Sequence, residues 1–139
     1  MNNKLLIKLA ELNEQISKIE QKISINQEDK DEIFYINILP DILEFIRKKH
    51  SLSAKEIIGR GRQLKTKTIR NFLILAILKN EKHKITLKQI GNLFNFRNHA
   101  TIINSKKSAL NFIETDEDDL FEYNLIFNYL DKLYNDYNF

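Results

Sequence analysis

The chain has 139 residues, of which 42% are hydrophobic; this length and composition predict one domain with a buried core and exclude a disordered chain. Three Gly, one Pro and no Cys favour an all-α fold over a turn-rich β fold, and exclude disulfides, thiolate nucleophiles and Cys-based zinc sites. The net charge of +3 is weak evidence for an anionic partner, and no apolar run reaches membrane-spanning length.

The first segment carries a heptad pattern, in which Leu and Ile recur at steps of four and three. Its polar breaks do not fit a signal peptide. Two interpretations are open: a coiled coil with another copy or a partner, or an amphipathic helix folded back on the chain's own core. We predict an N-terminal helix in residues 1–30, able to form a homodimer through residues 3–25, ahead of a main domain in residues 31–139. The heptad residues are Leu5, Leu9, Leu12, Ile16, Ile19 and Ile23.

A second helix is predicted over residues 31–50. The polar stretch of residues 26–32 is either a linker or the start of this helix. Pro40 either kinks the helix or marks its beginning, because Pro suits a first turn and lacks the N–H that a helix interior needs.

A short helix follows, with Ser51 or Ser53 as its N-cap, Glu56 in capping-box position and its end at Gly59. The stretch RGRQLKTKT, residues 60–68, lacks apolar periodicity and predicts an exposed loop. This part of the chain has one acid, Glu56, against six basic residues: Lys55, Arg60, Arg62, Lys65, Lys67 and Arg70.

Residues 68–80 are apolar on almost every side, which predicts a central core helix. After a loop, Thr86 caps another short helix, with Gln89 in capping-box position. A turn at residues 95–96 follows, where Asn95 is the residue better able to adopt a positive φ. The next helix is predicted from Asn98 to about residue 113.

The acidic stretch ETDEDDLFE spans residues 114–122, and its TDEDD segment, residues 115–119, opens the last helix, where negative charge is favourable. This helix is predicted to run to about residue 137. Its predicted core stripe is Leu120, Tyr123, Ile126, Phe127, Leu130 and Tyr134. His50 and His83 are predicted at a helix end and in a loop, and no metal site is expected because the three histidines lie far apart in the sequence.

The segment FNFRNHATIINS, residues 94–105, indicates what the neighbouring helices do. A short helix, a tight turn and a longer helix with a polar N-terminus describe a helix-turn-helix, whose second helix enters the major groove of DNA. Arg and Thr side chains suit phosphates, whereas Asn and His suit base edges. The sequence therefore predicts double-stranded DNA as the partner.

The stretch LKQIGNLFNFRNHATI resembles the signature of the C-terminal DNA-binding domain of the bacterial replication initiator DnaA, roughly L-x-x-I-G-x-x-F-G-x-R-D-H-T-T-V. A looser likeness extends over residues 37–134. The resemblance implies a DnaA-type helix-turn-helix that binds a short duplex box. The matching positions are Leu87, Ile90, Gly91, Phe94, Arg97, His99, Thr101 and Ile102.

The resemblance also implies roles for individual residues. Base edges would be read by Asn98, His99 and Ala100. The phosphates would be held by Arg97, Thr101, Arg70 and Asn71. Arg62, or alternatively Arg60, would enter the minor groove. The predicted interface further includes Lys65, Lys67, Lys88, Asn104 and Lys107.

The chain also departs from the initiator family, first at the turn, where Asn95 and Phe96 replace a small Gly-rich turn. Asn98 replaces an Asp, which is expected to move preference from cytosine towards adenine. Ala100 replaces a Thr and keeps only its methyl group. No P-loop is present, so neither ATPase activity nor a nucleotide or other cofactor is expected.

We therefore expect a non-enzymatic DNA-binding protein of the cytoplasm, associated with the nucleoid, that regulates replication or transcription. The alternative is an adaptor that keeps the fold but uses the heptad helix to bind a protein partner.

Overall fold

The computed structural model describes residues 2–25, 27–59, 61–95 and 97–137, without the side chains of residues 2, 17, 19–29 and 137. Within these ranges the chain forms seven α-helices and no β-strand, which confirms the all-α class. The helices are α1 (Asn2–Ile25), α2 (Gln27–His50), α3 (Ala54–Ile58), α4 (Leu64–Lys79), α5 (Leu87–Leu93), α6 (His99–Thr115) and α7 (Glu117–Tyr137).

The chain divides into two compact units, Met1–Lys30 and Asp31–Phe139. The first unit is α1 with the start of α2. Its heptad side chains Leu5, Leu9, Leu12 and Ile16 are 51–63% exposed, so this apolar seam is not buried. The side chains of the last two predicted seam residues, Ile19 and Ile23, lie outside the described part of the chain.

The core of the second unit is built around α4. Seven of its apolar side chains are at most 3% exposed, although they cover all sides of the helix. It packs on α3, α6 and α7. The prediction of a central core helix is thus confirmed, because a helix apolar all round has to be covered on every side. These residues are Ile69, Phe72, Leu73, Ile74, Leu75, Ala76 and Ile77.

The predicted start of this helix is wrong. α4 begins at Leu64, so the basic segment expected to be a loop is helical over its second half. Local signals are missing here: Gln63 makes no side-chain cap and the first turn has no acid. Thr66 is only 1% exposed, so tertiary packing fixes a turn that helix propensity does not favour.

The long helix α2 answers two questions left open by the sequence, namely whether residues 26–32 are a linker and whether the helix begins at Pro40. It begins at Gln27, so residues 27–32 belong to a helix, and it continues through Pro40. Pro40 removes the hydrogen bond to the carbonyl of Ile36. Both residues are exposed, so water can reach this region of the helix.

The predicted capping boxes are present at both short helices. The Ser53 hydroxyl accepts from the Glu56 N–H at 3.1 Å. The Thr86 hydroxyl likewise accepts from Gln89 at 3.1 Å. Ser51 is therefore not the cap; it has a positive φ of 57°.

The predicted core stripe of α7 is largely confirmed but is wrong at Leu120, which is 40% exposed. Leu133, at 7% exposed, is buried instead, so the core face lies towards the C-terminal half of the helix. The amphipathic pattern predicts the helix but does not fix where its first turn leaves the core.

The loop that leads into α5 is held by a cluster of aromatic side chains. The Tyr35 hydroxyl donates to the His83 carbonyl at 2.6 Å, and His83 Nδ1 lies 2.9 Å from the Asp31 carboxylate. The His83 ring stacks on Phe34 at 4.1 Å between centroids, and the Tyr134 hydroxyl donates to that of Tyr35. The cluster thereby connects α2, this loop and α7.

A second histidine links the end of α2 to α7. His50 Nε2 lies 3.1 Å from Glu122 Oε2. Burial lowers the pKa of His50 below its usual 6.5 and outweighs the opposing effect of the Glu122 carboxylate. The folded chain therefore favours neutral His50, and the stability it contributes is present above about pH 6.5 and is lost as pH falls below that value.

We predict that the free energy of unfolding falls when the pH is lowered from about 7.5 to about 5.5, and falls less in His50→Gln. The uncharged amide keeps a polar group beside Glu122 but does not titrate. Urea unfolding of both proteins at the two pH values measures the difference. Equal pH dependence in the two proteins would contradict the assignment.

Candidate nucleic-acid interface

The turn between α5 and α6 is tightly closed by backbone contacts. Asn95 has the predicted positive φ, 61°, and Phe94 before it is fully buried. The Arg97 N–H donates to the Gly91 carbonyl at 2.9 Å, which brings the end of the turn back onto α5. Phe96, predicted in the same turn, lies outside the described residues.

Gly91 is required by this closure. A Cβ at position 91 would lie 2.0 Å from the Arg97 carbonyl oxygen, far inside van der Waals contact. The clash is with backbone, which cannot swing aside as a side chain can. The turn that places the start of α6 therefore depends on glycine at this position.

The N-terminus of α6 is capped by Asn98. Its Oδ1 accepts from the Thr101 N–H at 2.8 Å and from the Thr101 hydroxyl at 2.9 Å. A bidentate contact with adenine would need the same oxygen. The expected shift towards adenine therefore does not follow from this structure, where the helix already uses that oxygen. His99 and Ala100 beside it are exposed.

Arg97 is half-buried and holds the turn to α3. Its Nη2 donates to the carbonyl of Gly59, the C-cap of that helix. The side chain predicted to hold a phosphate thus also joins two loops of the protein. Removing it would disturb the fold as well as any bound anion.

Arg70 is the clearest departure from its predicted role. It is 4% exposed, and its guanidinium donates to the carbonyls of Ile57 at 2.6 Å, Glu56 at 2.8 Å and Gly61 at 3.2 Å. Burial first, and then the neighbouring charge of Arg97, lower the pKa of Arg70 to about 10, so it stays charged at neutral pH. Arg70 anchors α3 and the basic loop rather than extending towards a phosphate.

A groove of about 240 Å³ brings several predicted residues together on α4, the turn and α6. Two lining residues, Ser105 and Ser108, were missed by sequence reasoning. Their spacing from Thr101, at i+4 and i+7, is the signal that could have found them, since these positions share one face of a helix. The lining residues are Lys67, Arg70, Asn71, Arg97, Thr101, Asn104, Ser105 and Ser108.

Other predicted site residues lie outside this groove. Arg62 is exposed in the loop before α4, and Lys88 and Lys107 are exposed on α5 and α6. Lys65 is exposed, and its Nζ lies 3.5 Å from the His50 carbonyl. Arg60, the alternative minor-groove residue, falls outside the described part of the chain.

No protein-family model matches the chain, and comparison with curated proteins and with solved structures finds no similar protein. Among the residues that the structure describes, no group of acidic or histidine side chains is placed to hold a metal ion. Within the same ranges, none of the helices combines the length and apolarity needed to cross a bilayer.

We predict that Gly91→Ala lowers the free energy of unfolding by about 1–3 kcal/mol, the usual cost of overpacking. The methyl group would push Arg97 away from α5 and open the turn. The matched control is Asn92→Ala, because Asn92 is exposed on the same helix. Urea denaturation of the three proteins measures the effect, and equal stabilities would argue against a required close approach.

We predict that Asn98→Ala lowers the free energy of unfolding by about 1 kcal/mol, because the Thr101 N–H loses its acceptor. Asn98→Asp should keep the native stability or exceed it, since a carboxylate both caps the helix and suits its dipole. Thermal unfolding compares the two. The capping role is wrong if the alanine and aspartate variants have the same melting temperature.

Proposed function

We propose that this chain binds double-stranded DNA sequence-specifically through α5, the turn and α6, used as a helix-turn-helix of the DnaA C-terminal type. It would act without ATPase activity, on replication or transcription at the nucleoid. One observation carries the proposal. The start of α6 exposes Asn98, His99 and Ala100 beside a groove whose lining residues include no acid.

Helix physics supports this use of α6. The first N–H groups of a helix have no partner within the helix, and its dipole favours negative charge there. In helix-turn-helix proteins the N-terminal residues of the second helix contact base edges. The Asn98 cap leaves His99 and Ala100 as the side chains nearest the helix start that are exposed and without a capping role.

In this proposal the basic and polar residues in and around the groove have different roles. Lys67, Asn71 and Asn104 would contact phosphate oxygens. Lys107 and Lys88, outside the groove, would add electrostatic attraction along the same strand. Arg62 would enter the minor groove from the basic loop. Arg70 and Arg97 would act mainly by holding these elements in place and by adding positive charge.

A second candidate function is a protein-binding adaptor, favoured by the exposed apolar seam of α1. It differs from the first in requiring no DNA contact from α6. Variants of α6 that leave the fold intact therefore separate the two functions.

The test is fluorescence anisotropy with a duplex carrying an initiator-type box and with a scrambled duplex, over a series of salt concentrations. We expect tighter binding to the box, with a log–log salt slope of about −0.9 per phosphate contacted. Equal, salt-sensitive binding to both duplexes would refute the box specificity and leave a general DNA binder. No binding to either at low salt would refute the proposal and favour the adaptor.

We predict different losses for two exposed residues of α6. His99→Ala should weaken binding to the box by about 5- to 150-fold, with little effect on the scrambled duplex, since a base contact is worth about 1–3 kcal/mol. Lys107→Ala should weaken both duplexes alike and reduce the salt slope by about 0.9. Lys132→Ala, exposed on α7, is the matched charge control and should change neither.

Arg97→Ala is unsuitable as the decisive variant, because the loss of its contact with Gly59 would mix a folding defect with a binding defect. Circular dichroism and thermal unfolding of the His99 and Lys107 variants check that they remain folded. Equal losses in Lys107→Ala and Lys132→Ala would show that net charge, rather than α6, controls binding.

A further inference from the structure

The apolar surface of α1 is unusually continuous for a helix in water. Six large apolar side chains of this helix are each at least half exposed. Four of them lie on the heptad seam, and an exposed apolar patch of this kind marks an interaction surface. These side chains are Leu5, Leu6, Ile7, Leu9, Leu12 and Ile16.

The positions of these residues match a coiled-coil seam. Counting Leu5 as d, the d positions are Leu5, Leu12 and Ile19, and the a positions are Leu9, Ile16 and Ile23. Two of the three a residues are β-branched and two of the three d residues are Leu. The central pair, Leu12 at d and Ile16 at a, has the distribution that favours two parallel strands.

The polar contacts of α1 agree with this seam. Glu14 and Lys18 form an ion pair of 3.6 Å within the helix, and their side chains are 69% and 71% exposed. In the same heptad count they occupy f and c, the positions that face solvent in a coiled coil. This ion pair therefore lies opposite the a/d seam, on the side of the helix that also carries Ile7.

The flanking charges distinguish two orientations. In a parallel pair, g faces e′ of the next heptad, so Lys8 meets Asn13 of the second copy and Lys22 meets Gln27. No like charges face each other in that arrangement. In an antiparallel pair with Leu5 opposite Ile23, g faces g′, and Lys8 would face Lys22 twice.

We propose that residues 5–23 of α1 pair with a second copy of this chain as a parallel, in-register, two-stranded coiled coil. The dimer does not depend on the proposed DNA binding. If that function holds, both DNA-binding units are joined to the same end of the coil, and paired boxes are the expected targets. The occupant is a second copy because the seam satisfies the pairing rules against itself.

The chain has no cysteine, so a single introduced thiol reports on orientation. In the parallel dimer, position 5 faces position 5, within reach of a disulfide. In the antiparallel alternative the two lie about 27 Å apart, at 1.5 Å per residue over eighteen residues. Leu5→Cys should therefore oxidise to a covalent dimer in the full chain. Ile7→Cys, at outward-facing f, is the matched control and should remain monomeric on a denaturing gel.

Light scattering of the unmodified chain, without DNA, measures association independently of the thiol. We expect twice the mass of one chain, falling towards a single mass on dilution, because three heptads make a short coil. Replacing Leu12 by Glu should abolish the dimer while the second unit keeps its thermal transition.

Three outcomes would overturn the proposal: a single-chain mass at submillimolar concentration, a stable trimer or tetramer, or a disulfide between Leu5→Cys and Ile23→Cys chains in place of the Leu5→Cys homodimer. DNA binding is assayed separately on the same Leu12→Glu chain with a single box. Retained single-box binding with lost dimerisation would show that the two proposals stand or fall independently.

Discussion

The buried guanidinium of Arg70 is the contact on which the candidate interface depends. It draws the carbonyls of Glu56, Ile57 and Gly61 around one side chain of α4, and so attaches α3 and the basic loop to the central helix. Arg97, in the turn before α6, makes a similar contact, because its guanidinium donates to the carbonyl of Gly59. Both arginines also line the groove, so the same side chains hold α3 and the basic loop and add positive charge to the candidate interface.

The hydrophobic core gives these contacts a rigid base. The middle of α4 is buried on all sides, and α6 packs on α4 with Ile102, Ser105 and Ala109 as its buried residues. One face of α6 is thereby fixed, and the opposite face carries Ala100, Asn104 and Lys107 exposed to solvent. A helix held in this way keeps its polar N-terminus in one orientation, which any site that reads a shaped ligand needs.

Sequence reasoning succeeded where the cause of a structure is local. The capping boxes at Ser53 and Thr86 and the positive φ of Asn95 each depend on residues within a few positions, so the pattern alone predicted them. It failed at the start of α4, where capping residues are missing and the burial of Thr66 stabilises the first turn instead. The same limit explains Arg70 and Arg97. Their acceptors are backbone carbonyls, which every residue carries and no sequence pattern marks.

Six of the eight residues that line the groove were among the predicted interface residues, most of them through the family resemblance. Their roles depend on the folded structure, because burial makes Arg70 an anchor and capping uses the Asn98 oxygen internally. Ser105 and Ser108 went unnoticed because serine is common on helix faces, and only their spacing from Thr101 marks them in the sequence. In the folded chain they line the same groove as Lys67, Arg70 and Arg97.

The proximity of Arg70 and Arg97 also has a thermodynamic consequence. Two like charges share a groove whose lining residues contain no carboxylate, so the folded state bears a repulsion that an anion would relieve. A polyanion held there would bind the folded chain in preference to the unfolded one, and linkage would add to the folding free energy. Under the proposed DNA binding, the phosphates that occupy the groove would therefore also raise the melting temperature of the protein.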